Sequence, residues 1–153
     1  IADEPTTALD VTVQAEILGL ILSLAEERAL AVVLVSHDWG VVSRLCTRAV
    51  VMYAGQVVEQ GPVAELLRAP AHPYTRGLLD CRADAVRGKD QVLPVIPGSV
   101  PDPTEWGATC RFADRCDRVT DDCRTGTTEP RPAAAGHESR CRFADAVRAE
   151  VRR

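Results

Sequence analysis

The stretch that decides how this chain folds runs Ile1-Ala2-Asp3-Glu4-Pro5-Thr6-Thr7-Ala8-Leu9-Asp10. Two adjacent carboxylates, Asp3 and Glu4, follow a short apolar start. Pro5 ends any strand at this point, because proline cannot donate a ladder hydrogen bond. Asp10 is a favourable N-cap for a helix over residues 11–28, in which apolar side chains recur at helical spacing. The opening therefore predicts a strand end that leads into a helix.

A second strand end follows this helix. Residues 31–36, Ala-Val-Val-Leu-Val-Ser, lack polar alternation, which is typical of a strand buried on both faces of a parallel sheet and covered by helices. Residues 48–53 and 56–60 then predict a hairpin with its turn at Gly55. Strand, helix, strand, short helix and hairpin together indicate an α/β fold.

Three polar side chains are expected at the ends of these neighbouring strands. Hydrolysis of a nucleoside triphosphate needs a metal ion on the phosphate oxygens and a carboxylate that orients or deprotonates water. Asp3 and Glu4 have the chemistry for these two roles, and His37, directly after the second strand, can donate a hydrogen bond to the terminal phosphate. Each residue alone is typical of an ordinary solvated strand end or cap. Together they predict half of a nucleotide-hydrolysis site.

The phosphate-binding half of such a site is missing from the sequence. The only lysine, Lys89, lies in Arg-Gly-Lys-Asp (residues 87–90), without the glycine spacing and the following Ser or Thr of a phosphate-cradling loop. The chain opens on Ile1 in mid-strand, without Met or a signal peptide. We therefore expect this chain to be a fragment that another segment precedes.

Charge and hydropathy exclude other functions. The net charge of −4 offers no basic surface for nucleic acid. The longest apolar run, residues 29–35, is far shorter than the roughly 20 residues that span a bilayer. Any membrane contact is thus expected to go through other subunits.

The composition changes along the chain, and we divide it into residues 1–70 and residues 71–153. The second part is loop-rich, and four of its five cysteines lie in one segment, separated by gaps of five, six and seventeen residues: Cys110, Cys116, Cys123 and Cys141. None of these gaps is the two-residue spacing of zinc ribbons. Four thiolates in a segment with little core can stabilise it by closing on a four-iron cluster or on zinc, and free or disulfide-linked thiols are the alternative. Cys46 and Cys81 stand apart as small apolar residues, and His137 is expected in a loop.

Residues 1–60 resemble the C-terminal half of the P-loop ATPase domain of ABC transporters. Residues 1–4 resemble the end of the Walker B strand, residues 8–10 the D-loop, and His37 the switch histidine. The resemblance implies Mg²⁺ held through Asp3, a water activated by Glu4, and a γ-phosphate sensed by His37. It also implies that Asp10 signals across a dimer that encloses two ATP molecules. The Walker A loop, the glutamine loop and the signature motif are absent from this chain.

The second part resembles the C-terminal extension of oligopeptide and dipeptide importer ATPases, with nickel importers as close relatives. The stretches that carry this resemblance are His-Pro-Tyr-Thr-Arg-Gly-Leu-Leu (residues 72–79), Ile-Pro-Gly-Ser-Val-Pro (residues 96–101), Cys-Arg-Phe (residues 110–112) and Arg-Cys (residues 115–116). His-Pro-Tyr is also simply typical of a helix start. For the four cysteines, the resemblance favours a [4Fe-4S] cluster.

Two functions follow from these resemblances. The first is an ATP-binding, ATP-hydrolysing subunit, peripheral to the cytoplasmic face of the membrane, that energises peptide import. Its implied partners are a second ABC ATPase subunit, two transmembrane permease subunits and an extracytoplasmic peptide-binding protein. The alternative is a metal-stabilised interaction module on a non-transport ABC ATPase. The extension after residue 70 favours the importer, whose substrate (oligopeptide, dipeptide or nickel) is not encoded in this chain.

Overall fold

The computed structural model describes residues 1–81 and 94–150. The chain divides into two compact units, Ile1–Thr47 and Arg48–Arg153. The change in composition predicts a different boundary, between residues 70 and 71, where one sequence module ends and the next begins. That boundary remains a prediction. Lys89 lies outside the described residues. Among the helices that the structure describes, none is long and apolar enough to cross a membrane.

The first unit contains two strands and two helices in alternation: β1 (Ala2–Asp3), α1 (Val11–Glu27), β2 (Leu34–Val35) and α2 (Trp39–Leu45). Asp10 caps α1 by accepting hydrogen bonds from the Thr12 and Val13 amides, both at 3.0 Å. The predicted helix and its N-cap are thereby confirmed. Strands β1 and β2 are parallel, with Ala2 opposite Leu34 and Asp3 opposite Val35.

Strand β2 is shorter and more exposed than the sequence predicts. The structure assigns only Leu34–Val35 to the strand, instead of residues 31–36. Val33 and Val35 remain 59% and 47% exposed. A central strand needs partners on both edges and cover on both faces. In the described part of the chain, β2 pairs only with the two-residue β1.

Within residues 48–81 and 94–150, the second unit contains a four-stranded antiparallel sheet in the order β3-β4-β6-β5 and four helices. Its elements are β3 (Arg48–Tyr53), β4 (Gln56–Pro62), α3 (Val63–Arg68), α4 (Pro73–Asp80), α5 (Asp121–Thr125), β5 (Arg131–Ala134), β6 (His137–Ser139) and α6 (Ala144–Glu150). In the described stretch from residue 94 to α5, the chain forms short 3₁₀ turns at Pro103–Glu105 and Ala113–Arg115. The last hairpin, β5 and β6, joins the sheet through β4.

The predicted hairpin is confirmed, and its turn has the backbone that two-residue hairpin loops require. Ala54 and Gly55 have φ values of 47° and 72°, as in a type I′ turn. A Cβ atom on Gly55 would lie 2.7 Å from the Trp106 ring, so glycine is also required for close packing.

Strand β3 buries one face in the core of this unit. Val51 and Tyr53 are buried, whereas Val50 and Met52 on the other face are exposed. The Tyr53 ring lies 4.7 Å from that of Tyr74 and 5.2 Å from that of Phe112. This aromatic cluster joins the sheet to α4 and to the loop that carries Cys110 and Cys116.

Candidate functional site

The end of β1 carries Glu4 in a strained backbone conformation. The Glu4 amide still donates to the Val35 carbonyl at 2.9 Å, so the residue remains attached to β2. Its φ of 43° lies in the left-handed region, which costs a residue other than glycine roughly 1–3 kcal/mol. Such strain is concentrated at functional sites, where the surrounding structure maintains it.

Glu4 contacts His37 across the two strand ends. Glu4 Oε1 lies 3.1 Å from His37 Nδ1, and Thr7 Oγ1 donates to Glu4 Oε2 at 2.9 Å. The hydrogen bonds from His37 and then from Thr7 hold the pKa of Glu4 below its usual value. The side chains of His37 and Glu4 are 77% and 44% exposed. The pair is therefore open to a ligand from solvent.

The other two predicted residues of this site lie near the ends of β1 and α1. Asp3 is exposed at the end of β1, and Asp10 uses its carboxylate as the N-cap of α1. The sequence after β2 explains the position of His37. Ser36 Oγ accepts from the Asp38 amide at 3.0 Å, and Asp38 caps α2 by accepting from Gly40 at 2.7 Å. These turns hold His37 between a strand and a helix.

In the second unit, the four predicted cysteines line one small cavity, which we call the cysteine cavity: Cys110, Cys116, Cys123 and Cys141. All of them are free thiols. The Cys110 amide donates to the Cys123 carbonyl at 3.1 Å, which fastens the first part of the segment to α5. The amides of Arg118 and Phe143 donate to the sulfurs of Cys116 and Cys141, both at 3.4 Å.

The cysteine cavity is small, and positively charged arginine side chains form part of its wall. Its volume of about 20 Å³ is room for about one water molecule, and Arg118, Arg140 and Arg142 contribute to its wall. Burial raises the pKa of the Cys141 thiol to about 12 and raises the pKa of Cys110 and Cys116 as well. Within residues 1–81 and 94–150, no three His, Cys, Asp or Glu side chains are arranged to hold a metal ion.

The four cysteines are the chemical type of donor that a thiolate-bound metal centre uses, although their side chains are not arranged around a common metal position. Four thiols converge on one cavity, and backbone N–H groups already reach two of the sulfurs. Amide donors and arginine side chains lower the cost of the negative charge that thiolate ligands carry. The cysteine side chains must reorient before they can ligate together. Cys46 and Cys81 do not line this cavity, as predicted.

His72 also lines the cysteine cavity, as the N-cap of α4. The Tyr74 amide donates to His72 Nδ1 at 3.1 Å, and Pro73 occupies the first helical position. The interpretation of His-Pro-Tyr as a helix start is confirmed. Burial lowers the pKa of His72 to about 3, so the ring is neutral.

A buried polar network, which sequence reasoning missed, supports this region. Glu59 accepts from the Ala71 amide at 2.6 Å, from the His72 amide at 2.9 Å and from His137 Nε2 at 2.7 Å. Arg148 on α6 then donates to His137 Nδ1 at 2.7 Å. The prediction that His137 lies in a loop is wrong, because it is fully buried on β6. Gly136, a turn residue with φ of 65°, was the available sequence signal for the β5–β6 hairpin.

The chain is similar in sequence to known transporter proteins. Residues 58–123 match the family model of the oligopeptide/dipeptide transporter C-terminal region. This match covers most of β4, all of α3 and α4, and three of the four cavity cysteines. A large part of the second unit is therefore similar in sequence to that C-terminal region.

Individual relatives extend the match to nearly the whole chain. The chain is 49% identical over 144 residues to proteins of Brucella abortus and Brucella suis that are named for peptide import and ATP binding. It is 47% identical over 141 residues to a protein of Sinorhizobium fredii named for ATP binding in a peptide ABC transporter. These alignments cover 92% of this chain and 42% of each relative. Over nearly all of its length the chain is therefore similar to ATP-binding proteins named for peptide import, and it spans less than half the length of these relatives.

Proposed function

We propose that this chain is the C-terminal part of an ATP-hydrolysing subunit that energises peptide import. The observation that carries the proposal is the 3.1 Å contact between Glu4 and His37 at the ends of two parallel strands. The names of the relatives, which refer to peptide import and ATP binding, support the same function.

We assign Glu4 as the residue that polarises the attacking water. A general base must be deprotonated at the working pH, and the lowered pKa of Glu4 satisfies this condition. His37 contacts the base through Nδ1 and is otherwise exposed, so its Nε2 edge is free to meet the terminal phosphate. The two side chains would thus act on the water and on the phosphate it attacks.

Asp3 is the carboxylate that would hold Mg²⁺. Sites for Mg²⁺ beside a nucleotide use one or two carboxylates, with substrate phosphates and waters as the other ligands, so an exposed Asp at a strand end fits. When bound, the ion neutralises charge on the phosphate oxygens. Asp10, at the start of α1, is proposed to act across the interface with a second ATPase subunit.

The complete protein is proposed to work as a peripheral subunit at the cytoplasmic face of the membrane. Its partners would be a second ABC ATPase subunit, two transmembrane permease subunits and an extracytoplasmic peptide-binding protein. The names of the relatives support an import complex of this kind.

For the second unit, we propose a [4Fe-4S] cluster bound by the four cavity cysteines. The support is the convergence of four thiols on one cavity with two amide-to-sulfur hydrogen bonds and three arginines. Such a cluster would tie the segment after residue 110 to Cys141 near α6, as metal centres do in segments with little core.

Glu4→Gln in the full-length protein tests the ATPase assignment. The amide cannot accept a proton from water, so turnover should fall by about 10²-fold or more while ATP binding is retained. ATP-bound dimer should accumulate and can be measured by size-exclusion chromatography. Glu16→Gln, the same change on the exposed face of α1, is the control and should hydrolyse ATP normally. Normal turnover in Glu4→Gln would refute the assignment.

A further inference from the structure

The Glu4 carboxylate has a hydrogen-bond partner besides His37. Thr7 Oγ1 donates to Glu4 Oε2 at 2.9 Å, whereas His37 Nδ1 lies 3.1 Å from Glu4 Oε1. Each carboxylate oxygen therefore has its own neighbour, and the two neighbours together fix the rotation of the carboxylate plane. The proposed hydrolysis gives roles to Glu4 and His37 and none to Thr7.

The local sequence explains why Thr7 reaches Glu4. The Thr7 amide donates to the Glu4 carbonyl at 3.1 Å, which closes a β-turn over residues 4–7. Pro5 occupies the second position of this turn, where its fixed φ is favourable. The turn brings its fourth residue back beside its first. The Thr7 hydroxyl is therefore presented to the carboxylate by its own segment of the chain.

The proton in this contact belongs to Thr7. An ionised carboxylate only accepts hydrogen bonds, so the hydroxyl is the donor. Donation to the charged form is consistent with the lowered pKa of Glu4, to which the hydrogen bond from Thr7 contributes after that from His37. The contact therefore stabilises the carboxylate in the ionised form that a base requires.

We propose that Thr7 is a positioning residue for ATP hydrolysis, whose hydroxyl holds the Glu4 carboxylate in the orientation that polarises the attacking water. This role rests on the proposed assignment of Glu4 as the base. A general base works only within hydrogen-bond reach of the proton it takes, and small errors of placement are costly. A carboxylate that His37 alone holds, through one oxygen, is free to rotate away. Thr7 acts through Glu4 and not on the nucleotide.

Two substitutions in the full-length protein separate the hydroxyl from the rest of the Thr7 side chain. Thr7→Val keeps the shape and removes the donor, whereas Thr7→Ser keeps the donor. At about pH 8, far above the usual pKa of a glutamate, the carboxylate is ionised in every variant. A change in kcat at this pH therefore reports the orientation of the base and not its protonation.

We expect kcat of Thr7→Val to fall about tenfold and kcat of Thr7→Ser to stay within about twofold of wild type. KM for ATP and the ATP affinity measured by calorimetry should be unchanged in both variants. Thr6→Val, the same change one position earlier, is the matched control and should hydrolyse ATP at the wild-type rate.

A double variant tests whether Thr7 acts through Glu4. Without the carboxylate there is no base to orient, so adding Thr7→Val to Glu4→Gln should change the residual turnover by less than about twofold. A further tenfold loss would show that Thr7 acts independently of Glu4 and would overturn its positioning role.

The other outcomes are equally decisive. Normal kcat in Thr7→Val, or an equal loss in Thr7→Ser, would overturn the role of the hydroxyl and leave Glu4 as the base. A loss of kcat together with a loss of ATP binding would indicate a merely structural effect and would also overturn it. Normal turnover in Glu4→Gln alone would refute the proposed function, and the role of Thr7 with it.

Discussion

Glu4 Oε1 and His37 Nδ1 lie 3.1 Å apart, although 33 positions separate these residues in the chain. The parallel pairing of β1 with β2 brings them together, and Glu4 adopts a left-handed backbone as it leaves the strand. Both side chains remain open to solvent. The two strand ends therefore hold the carboxylate and the imidazole side by side, and such fixed polar groups would favour the proposed phosphate hydrolysis.

Thr7→Val should shift the pH dependence of ATP hydrolysis. Thr7 Oγ1 donates to Glu4 Oε2 and contributes to the low pKa of this carboxylate. Removal of the donor lets the pKa rise toward its usual value, so the base becomes protonated at a higher pH. The acidic limb of kcat/KM against pH in the full-length protein should move to higher pH. Thr6→Val, at the preceding position, should leave it in place, and an unmoved limb in Thr7→Val would contradict the prediction.

Asp10 is expected to have two separable roles. Asp10→Ala removes the acceptor for the Thr12 and Val13 amides and should cost about 1 kcal/mol of stability, measured by urea unfolding. Asp10→Asn keeps a cap acceptor and should unfold like wild type. If the charge acts across the subunit interface, Asp10→Asn should still lower ATP turnover. Normal turnover in Asp10→Asn would limit this residue to capping.

Glu59→Gln should destabilise the second unit. Two amides and His137 Nε2 all donate to the buried Glu59 carboxylate, and the substitution places an NH₂ group where one of them needs an acceptor. We expect a loss of about 2–4 kcal/mol in the free energy of unfolding. Glu138→Gln, on β6, keeps an amide oxygen to accept from Gln60 and should change stability by less than about 1 kcal/mol. If Glu59→Gln lost no more free energy of unfolding than Glu138→Gln, the hydrogen bonds to Glu59 would contribute no special stability.

The 153-residue chain itself should bind ATP weakly or not at all. It lacks a phosphate-binding loop, whose backbone N–H groups hold the β- and γ-phosphates. Isothermal titration calorimetry with Mg-ATP measures this directly. A micromolar dissociation constant would show that the residues present are sufficient for binding.

The iron content of the purified protein should depend on the four cysteines that line the cysteine cavity. After purification without oxygen, iron and sulfide analysis should give about four irons per chain, as in a cubane cluster. Cys141→Ser should lose most of this iron, whereas Cys46→Ser, outside the cavity, should keep it. Stoichiometric zinc without iron would favour the zinc alternative, and absence of both metals would leave free thiols.

The sequence by itself determined the local structure, because its causes lie within a few residues. Asp10 caps the helix that follows it, Pro73 starts another, and Ala54-Gly55 forms the turn of the β3–β4 hairpin. In each case the side chain or backbone preference acts on its own neighbours, so the pattern predicts the element.

Only the tertiary structure decided which distant groups meet. Glu59 and His137 are 78 positions apart and form a buried pair, which no local periodicity could indicate. Strand β2 depends on neighbouring strands, so its apolar run alone gave the wrong length. The irregular spacing of the cysteines did not specify one site, yet the fold brings all four to the wall of a single cavity. Such contacts depend on chain topology, because burial and hydrogen-bond satisfaction are properties of the packed fold and not of a segment.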